Sequence, residues 1–272
     1  MVAGMNARNP IPRTSIQRYY KRVCDMSYAQ RLTLVDSLLE DPSPLVKEFE
    51  SSVATFSTYN NPEAFYSNPK RAPKPPGPEG DIVKTHHVAW YLRHQEALKV
   101  VGAPELNARY VDYEIAPTRT TDHAVFSDDE GSWRTGVFID LLLANCADST
   151  PIVGELKIRA DKDPFTALVQ VLACVAHVAT PHQYERLRQF APAGRFPVGD
   201  LPLLDGYVLL YRFLEVAQDD LEQLAEKAEQ LSARLFEHPA IAGRLRRIAC
   251  LDLELGERDE LSATKRWEHG GA

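Results

Sequence analysis

Long apolar runs are missing from this 272-residue chain. No segment approaches the ~18–20 consecutive apolar residues that a membrane-spanning helix needs. The basic N-terminus is not followed by the apolar h-region of a secretory signal. Cysteine is sparse and scattered: Cys24, Cys146, Cys174 and Cys250 form no Cys-x-x-Cys pair. That spacing argues against a zinc site built on cysteine. It fits free thiols, Cys146 and Cys174 buried among them, in a reducing, cytoplasmic compartment. There is no glycine-rich phosphate loop, no Ser/His/Asp order and no internal repeat. A basic excess is lacking as well: the net charge is −7, which does not mark a nucleic-acid binder.

What is present suffices for a globular protein. Hydrophobic residues make up 44% and charged residues 25%, enough for one large domain, or one domain with a small appendage. The charge is unevenly placed. Residues 1–22 carry Arg8, Arg13, Arg18, Lys21 and Arg22 and no acid, with Tyr19 and Tyr20 among them. Such an arm can grip phosphates and stack on bases, or it can be a solvated tail.

Three regions separate along the chain. Residues 1–67 read as helical: Leu32, Val35, Leu38 and Leu39 fall at helical spacing between Ser27 and Glu40, Pro42 and Pro44 interrupt, and 45–56 makes a second short helix. Residues 68–80 form a proline-rich, extended linker. Residues 81–272 read as one α/β unit. It predicts a helix over 81–101, strands over 108–118, 137–144 and 152–158, and a helix over 164–179 with Asp163 as N-cap and Pro164 in its first turn. A helical extension over 182–190 follows, then a buried strand over 206–214, an amphipathic helix over 219–236 and a last strand over 247–255.

Two of those strands carry acids in apolar surroundings: Val137-Phe-Ile-Asp140-Leu-Leu-Leu and Pro151-Ile-Val-Gly-Glu155-Leu-Lys157-Ile. Charges inside such runs are costly to bury without a reason. The tripeptide Glu155-Leu156-Lys157 alone means nothing, because 38 acids and 10 lysines give roughly one acid-x-Lys by chance. Placement carries the information. Alternation puts Glu155 and Lys157 on one face. The short polar segment 145–150 suits a hairpin, which brings Asp140 beside Glu155. Two carboxylates and a backbone carbonyl, that of Leu156, suit Mg²⁺, with positions left for water and a phosphate oxygen. In the next helix Thr166, Gln170, Ala173 and His177 form a narrow small and polar stripe that is expected to face a cleft.

This arrangement of strand-Asp140, hairpin, strand-Glu155-x-Lys157 and a helix bearing Gln170 resembles the PD-(D/E)xK phosphodiesterase superfamily, the restriction-endonuclease-like nucleases. The resemblance covers about residues 84–215, and the element string contains that family's α-β-β-β-α-β order. It implies a mixed β-sheet flanked by helices, dependence on Mg²⁺ or Mn²⁺, and cleavage of nucleic acid, DNA favoured over RNA, in defence against foreign DNA or in repair. By the match, Asp140 and Glu155 are metal ligands, Lys157 is the catalytic lysine and Gln170 is the supporting polar residue. The literal Pro-Asp dipeptide is absent, since Ile139 precedes Asp140. The glutamate that many members carry on the first helix has Glu96 as its candidate, with Glu114 as the alternative. The rival expectation is a binding or scaffold protein that kept the core without catalysis. The helical N-terminal region would then serve a protein partner, a second copy of the chain, or substrate.

Other clusters read as structural. His86, His87 and His94 lack a nearby acid or cysteine to complete a metal site, and His177 and His182 read as hydrogen-bonded histidines. Asp128-Asp-Glu-Gly131 reads as a solvated turn, with Trp133, Arg134 and Thr135 behind it. Arg244, Arg246 and Arg247 either touch a nucleic-acid backbone or balance the acids of Asp219 to Glu229.

Overall fold

The computed structural model describes residues 14–58, 64–67, 72–77, 81–120, 137–159, 163–199, 203–212, 219–257 and 259–271, with backbone only at 64–67 and 116–120. It is an α/β fold built on a curled mixed sheet. The helices are α1 (Ser15–Asp25), α2 (Tyr28–Glu40), α3 (Ser43–Thr58), α4 (Thr85–His94), α5 (Pro164–Val178), α6 (Pro181–Phe190), α7 (Asp219–Phe236) and the short α8 (Pro239–Ala242). The strands are β1 (Ala64–Ser67), β2 (Lys99–Val101), β3 (Ala108–Thr120), β4 (Ile139–Asn145), β5 (Pro151–Ile158), β6 (Leu204–Tyr211), β7 (Leu245–Leu255) and β8 (Leu261–Gly270).

The spatial order is β1-β3-β4-β5-β6-β7-β8-β2. β3, β4 and β5 form an antiparallel meander, and β5, β6 and β7 run parallel through the α5–α6 and α7 crossovers. β8 returns antiparallel to β7, and β2 joins β8 in parallel. Leu98, just before β2, bridges Ala108 at the start of β3, so the sheet curls back on itself at that end.

Two cores follow from this curl. Leu141, Leu143, Ile152, Leu156, Tyr207 and Leu251 pack with α4 on one face. Leu142, Val153, Val208 and Cys250 pack on the other with α1, α2, α3, α5 and α7. The N-terminal helices therefore share a hydrophobic core with α5 and α7. Residues 72–77 of the proline-rich segment are irregular; 68–71 and 78–80 lie outside the described residues.

α5 sits at the centre. Asp163 caps it, accepting from Thr166 N at 2.8 Å, and Pro164 occupies its first turn. All fifteen of its residues are buried. It lies close against β6: a Cβ on Gly206 would sit 2.6 Å from Val171 Cγ1, so any other residue here must displace that side chain. No single helix among the described residues is long and apolar enough to cross a membrane.

Several expected boundaries shift. The helix expected over 81–101 spans only Thr85–His94. Gln95 leaves it in an extended conformation, and its side-chain amide pairs with both Leu261 N and Leu261 O at 2.9 Å, holding the chain out for β2. The strand over 247–255 is not the last, because β8 follows it.

Candidate functional site

The polar gap between β4 and β5 makes the expected hairpin. Asn145 and Asp148 each fold a side-chain oxygen onto a backbone N–H two residues ahead, at 2.8 and 2.9 Å, and Ser149 takes a left-handed φ of 61°. The ladder then runs Ala144↔Pro151, Leu143↔Ile152, Leu142↔Val153 and Leu141↔Gly154. Asp140 and Glu155 are the next pair along it. The strands part there, and Leu156 N–H donates to Asp140 Oδ2 at 3.1 Å instead of to a backbone carbonyl. A strand residue sends its N–H and C=O to the same edge, so the Leu156 carbonyl faces that gap too.

A third acid extends the row. β3 pairs with β4 through Tyr113↔Leu141 and Ile115↔Ile139, which sets Glu114 opposite Asp140. Glu114 has a left-handed φ of 47°, uncommon for a side-chain-bearing residue and strained. Its purpose is visible in the packing. Tyr113 and Leu141 belong to one core, whereas Ile115 and Ile139 belong to the other, so both strands exchange faces at the Glu114/Asp140 pair. Glu114, Asp140 and Glu155 thus lie side by side across three strands. Like charges directly opposite one another destabilise a sheet.

The electrostatics record that conflict. Burial first, then the Asp140 charge, pushes the Glu155 carboxyl well above its usual range, while Lys157 pulls it back. Burial and Asp140 also raise Glu114. Glu155 and Lys157 are only 2% and 4% exposed and form a buried ion pair through Glu155 Oε1. Glu155 Oε2 is buried without a hydrogen-bond partner by geometry. The Asp140 carboxylate stands opposite Glu155 in the sheet register, and its charge is the second cause of the raised Glu155. A cation between two such carboxylates would relieve their repulsion. The donor set therefore fits a hard divalent ion: one oxygen each from Asp140 and Glu155, with the Leu156 carbonyl at the same gap. Among the described residues, no group of three or more His, Cys, Asp or Glu side chains is arranged to hold an ion, so Glu114 stands outside such a set as placed.

The stripe on α5 does not face an open cleft, because α1 and α3 cover it. Thr166 Oγ1 bonds to its own N-cap, Asp163, at 2.9 Å. His177 Nε2 meets Thr14 Oγ1 at 3.2 Å, its ring packs on Phe56 at 4.4 Å, and burial lowers its pKa to about 3, so it is neutral. Gln170 is 6% exposed; it donates to Phe138 O at 3.3 Å and accepts from the Tyr20 hydroxyl. Tyr20, read from sequence as an arm residue that could stack on bases, instead packs over the site on Gln170. Burial, then the charge of Glu155, raises its phenol far above the usual range, so it stays protonated and donates to Gln170. Its signal was the stripe Ile16, Tyr19, Tyr20 and Val23 at i, i+3, i+4 and i+7. Cys174, one turn after Gln170, is raised by burial and then by Glu155 and Asp140.

α1 is tied down where it ends. Arg31 of α2 donates to Val23 O and Cys24 O at 3.0 Å each, and its third arm reaches Asp163 Oδ2 at 2.6 Å.

The remaining candidates fall elsewhere. Glu96 lies past the end of α4 and lines a surface cavity of about 830 Å³ with Trp90, His94 and Glu260; Glu114 is the acid beside Asp140. His87 accepts from Val83 N at 3.3 Å, and His94 packs on Trp90 at 4.5 Å. Arg246 pairs with Asp205 and Asp148, and Arg247 with Asp205 and Glu268, not with the expected acids of 219–229. Arg8, Arg13, Asp128 to Gly131 and Trp133 to Thr135 lie outside the described residues.

No protein-family model matches the chain, and neither the curated proteins nor the solved structures contain a significant match to it.

Proposed function

We propose that the chain is a Mg²⁺- or Mn²⁺-dependent phosphodiesterase that hydrolyses nucleic acid, DNA favoured over RNA, on a restriction-endonuclease-like core made of α4, β3, β4, β5, α5 and β6. Support for the fold reading comes from that chain order and from the adjacency of β3, β4, β5 and β6 in the sheet. The observation that carries the functional reading is the acid row Glu114, Asp140, Glu155 with Lys157 beside it. A fold gains nothing from aligning three carboxylates on neighbouring strands and burying one with an unsatisfied oxygen, unless a cation or a reaction requires it.

In this reading Asp140, Glu155 and the Leu156 carbonyl hold the ion. When bound, it would lower the pKa of a coordinated water and offset charge developing on the phosphate. Lys157, positioned by its ion pair with Glu155, stabilises the phosphate and orients the attacking water. Gln170 is a positioning residue: through Phe138 O it fixes the backbone two residues before Asp140, and the Tyr20 hydroxyl holds its amide in place. Tyr20, Gln170 and the surrounding core exclude bulk water and strengthen each of these interactions.

A second reading, a nucleic-acid-binding or scaffold protein without catalysis, draws on the burial of Glu155 and Lys157. Incubation with single- and double-stranded DNA and RNA, in Mg²⁺, Mn²⁺ or EDTA, separates the two. The phosphodiesterase reading expects metal-dependent cleavage that is abolished in Lys157→Ala and Asp140→Ala. Cleavage surviving both substitutions, or no cleavage of any polymer, would overturn it.

A further inference from the structure

The helix that closes the candidate site is two-sided. Ile16, Tyr19 and Val23 are buried, and Tyr20 on the same stripe reaches Gln170 above the acid row. Arg18, Lys21 and Arg22, at i, i+3 and i+4, make a second stripe, and all three are exposed. The helix carries no acid before its last residue, Asp25, in a chain whose net charge is −7. Arg22 keeps a loose 3.6 Å contact with Glu48 and lies 5.3 Å from the centre of the Tyr19 ring, which leaves its guanidinium at the surface. Lys21 directly follows the residue that touches the site. The basic stripe is thus the outer face of the helix whose inner face, through Tyr20 and Gln170, covers the buried acid–lysine cluster.

We infer that the Arg18/Lys21/Arg22 face of α1 is the surface that takes the sugar–phosphate backbone of a nucleic acid flanking the site. The inference rests on the phosphodiesterase reading for its choice of partner and adds where that partner lies. Charge complementarity selects the occupant: three exposed cations within about one turn make a dense positive patch for a phosphate backbone, and the acid row repels an anionic strand unless cations flank it. Phosphate contacts of this kind position a strand without reading its sequence.

The test is binding of labelled single-stranded DNA, double-stranded DNA and RNA in EDTA, followed by fluorescence anisotropy over a range of salt concentrations. The triple variant Arg18→Glu/Lys21→Glu/Arg22→Glu is compared with Lys74→Glu/Lys84→Glu/Lys99→Glu, which makes the same charge change at exposed positions away from α1. Far-UV circular dichroism checks that both variants fold. The α1 variant should bind at least about tenfold more weakly, with the slope of log affinity against log salt reduced by about 2–3. The control should stay within about twofold of wild type. Equal binding by wild type and the α1 variant, an equal loss in the control, or no binding by wild type would overturn the assignment. The outcome separates from that of catalysis: α1-dependent binding by a protein that cleaves nothing keeps the surface and removes the phosphodiesterase reading. Cleavage with α1-independent binding does the reverse.

Discussion

Replacing Asp140 with asparagine should stabilise the protein at alkaline pH, although it removes a proposed metal ligand. The carboxamide oxygen introduced by Asp140→Asn can still accept from Leu156 N–H, so the local hydrogen bond survives. What disappears is the charge that raises both Glu155 and Glu114. Two like charges about 4 Å apart repel by about 4 kcal/mol at an effective dielectric near 20. Solvent at the half-buried Asp140 screens part of this, so the expected gain at pH 8 is on the order of 1–2 kcal/mol. The pH dependence has a defined sign. Glu155 is raised in the folded protein, so the native state holds its proton more tightly than the unfolded chain. Stability is therefore greatest below the ordinary carboxylate pKa and is lost as pH rises through the folded value. Asp140→Asn should flatten that decline, giving little difference from wild type at pH 4 and a higher urea midpoint at pH 8. A variant less stable than wild type at pH 8, or one with an unchanged slope in metal-free buffer, would refute the electrostatic account of the row.

Further outcomes test the scaffold. Arg31→Ala leaves Asp163 buried without its cation and strips the Val23 and Cys24 carbonyls of their donor; a loss of about 3–5 kcal/mol is expected in urea melts, and less than about 1 would show that the clamp is unimportant. Gly206→Ala should cost about 1–3 kcal/mol by pressing on Val171, and the double variant Gly206→Ala/Val171→Ala should recover most of it; independent effects would contradict the close packing of α5 on β6.

Much of the sheet was legible from sequence because its central strands are apolar runs bounded by turn residues. The β4–β5 hairpin was readable from Asn145 and Asp148, whose side chains make the turn. β2 was not, since three residues carry no period and the preceding helix pattern ran through them. β8 was missed because Lys265 and Arg266 interrupt the alternation of Leu261, Ala263 and Trp267. Within the candidate site, Asp140, Glu155 and Lys157 were visible as charges in apolar strands. The cover over them was not, because α1 docks from more than a hundred residues away in sequence. That docking also explains why the Thr166–Gln170–His177 stripe proved buried: a polar stripe on an apolar helix can face another helix as well as a cleft. Glu114 was one of two alternatives, and only register could set it opposite Asp140.

A divalent cation bound between Asp140 and Glu155 should displace the proton that burial and the Asp140 charge favour on Glu155, a proton-for-metal exchange. Calorimetric titration of Mn²⁺ at neutral pH, in two buffers of different ionisation enthalpy, measures both halves of that exchange. Binding should release up to about one proton per ion, and both should be lost in Asp140→Asn. Failure of Mn²⁺ to bind, or binding that releases no proton and persists in Asp140→Asn, would contradict this exchange.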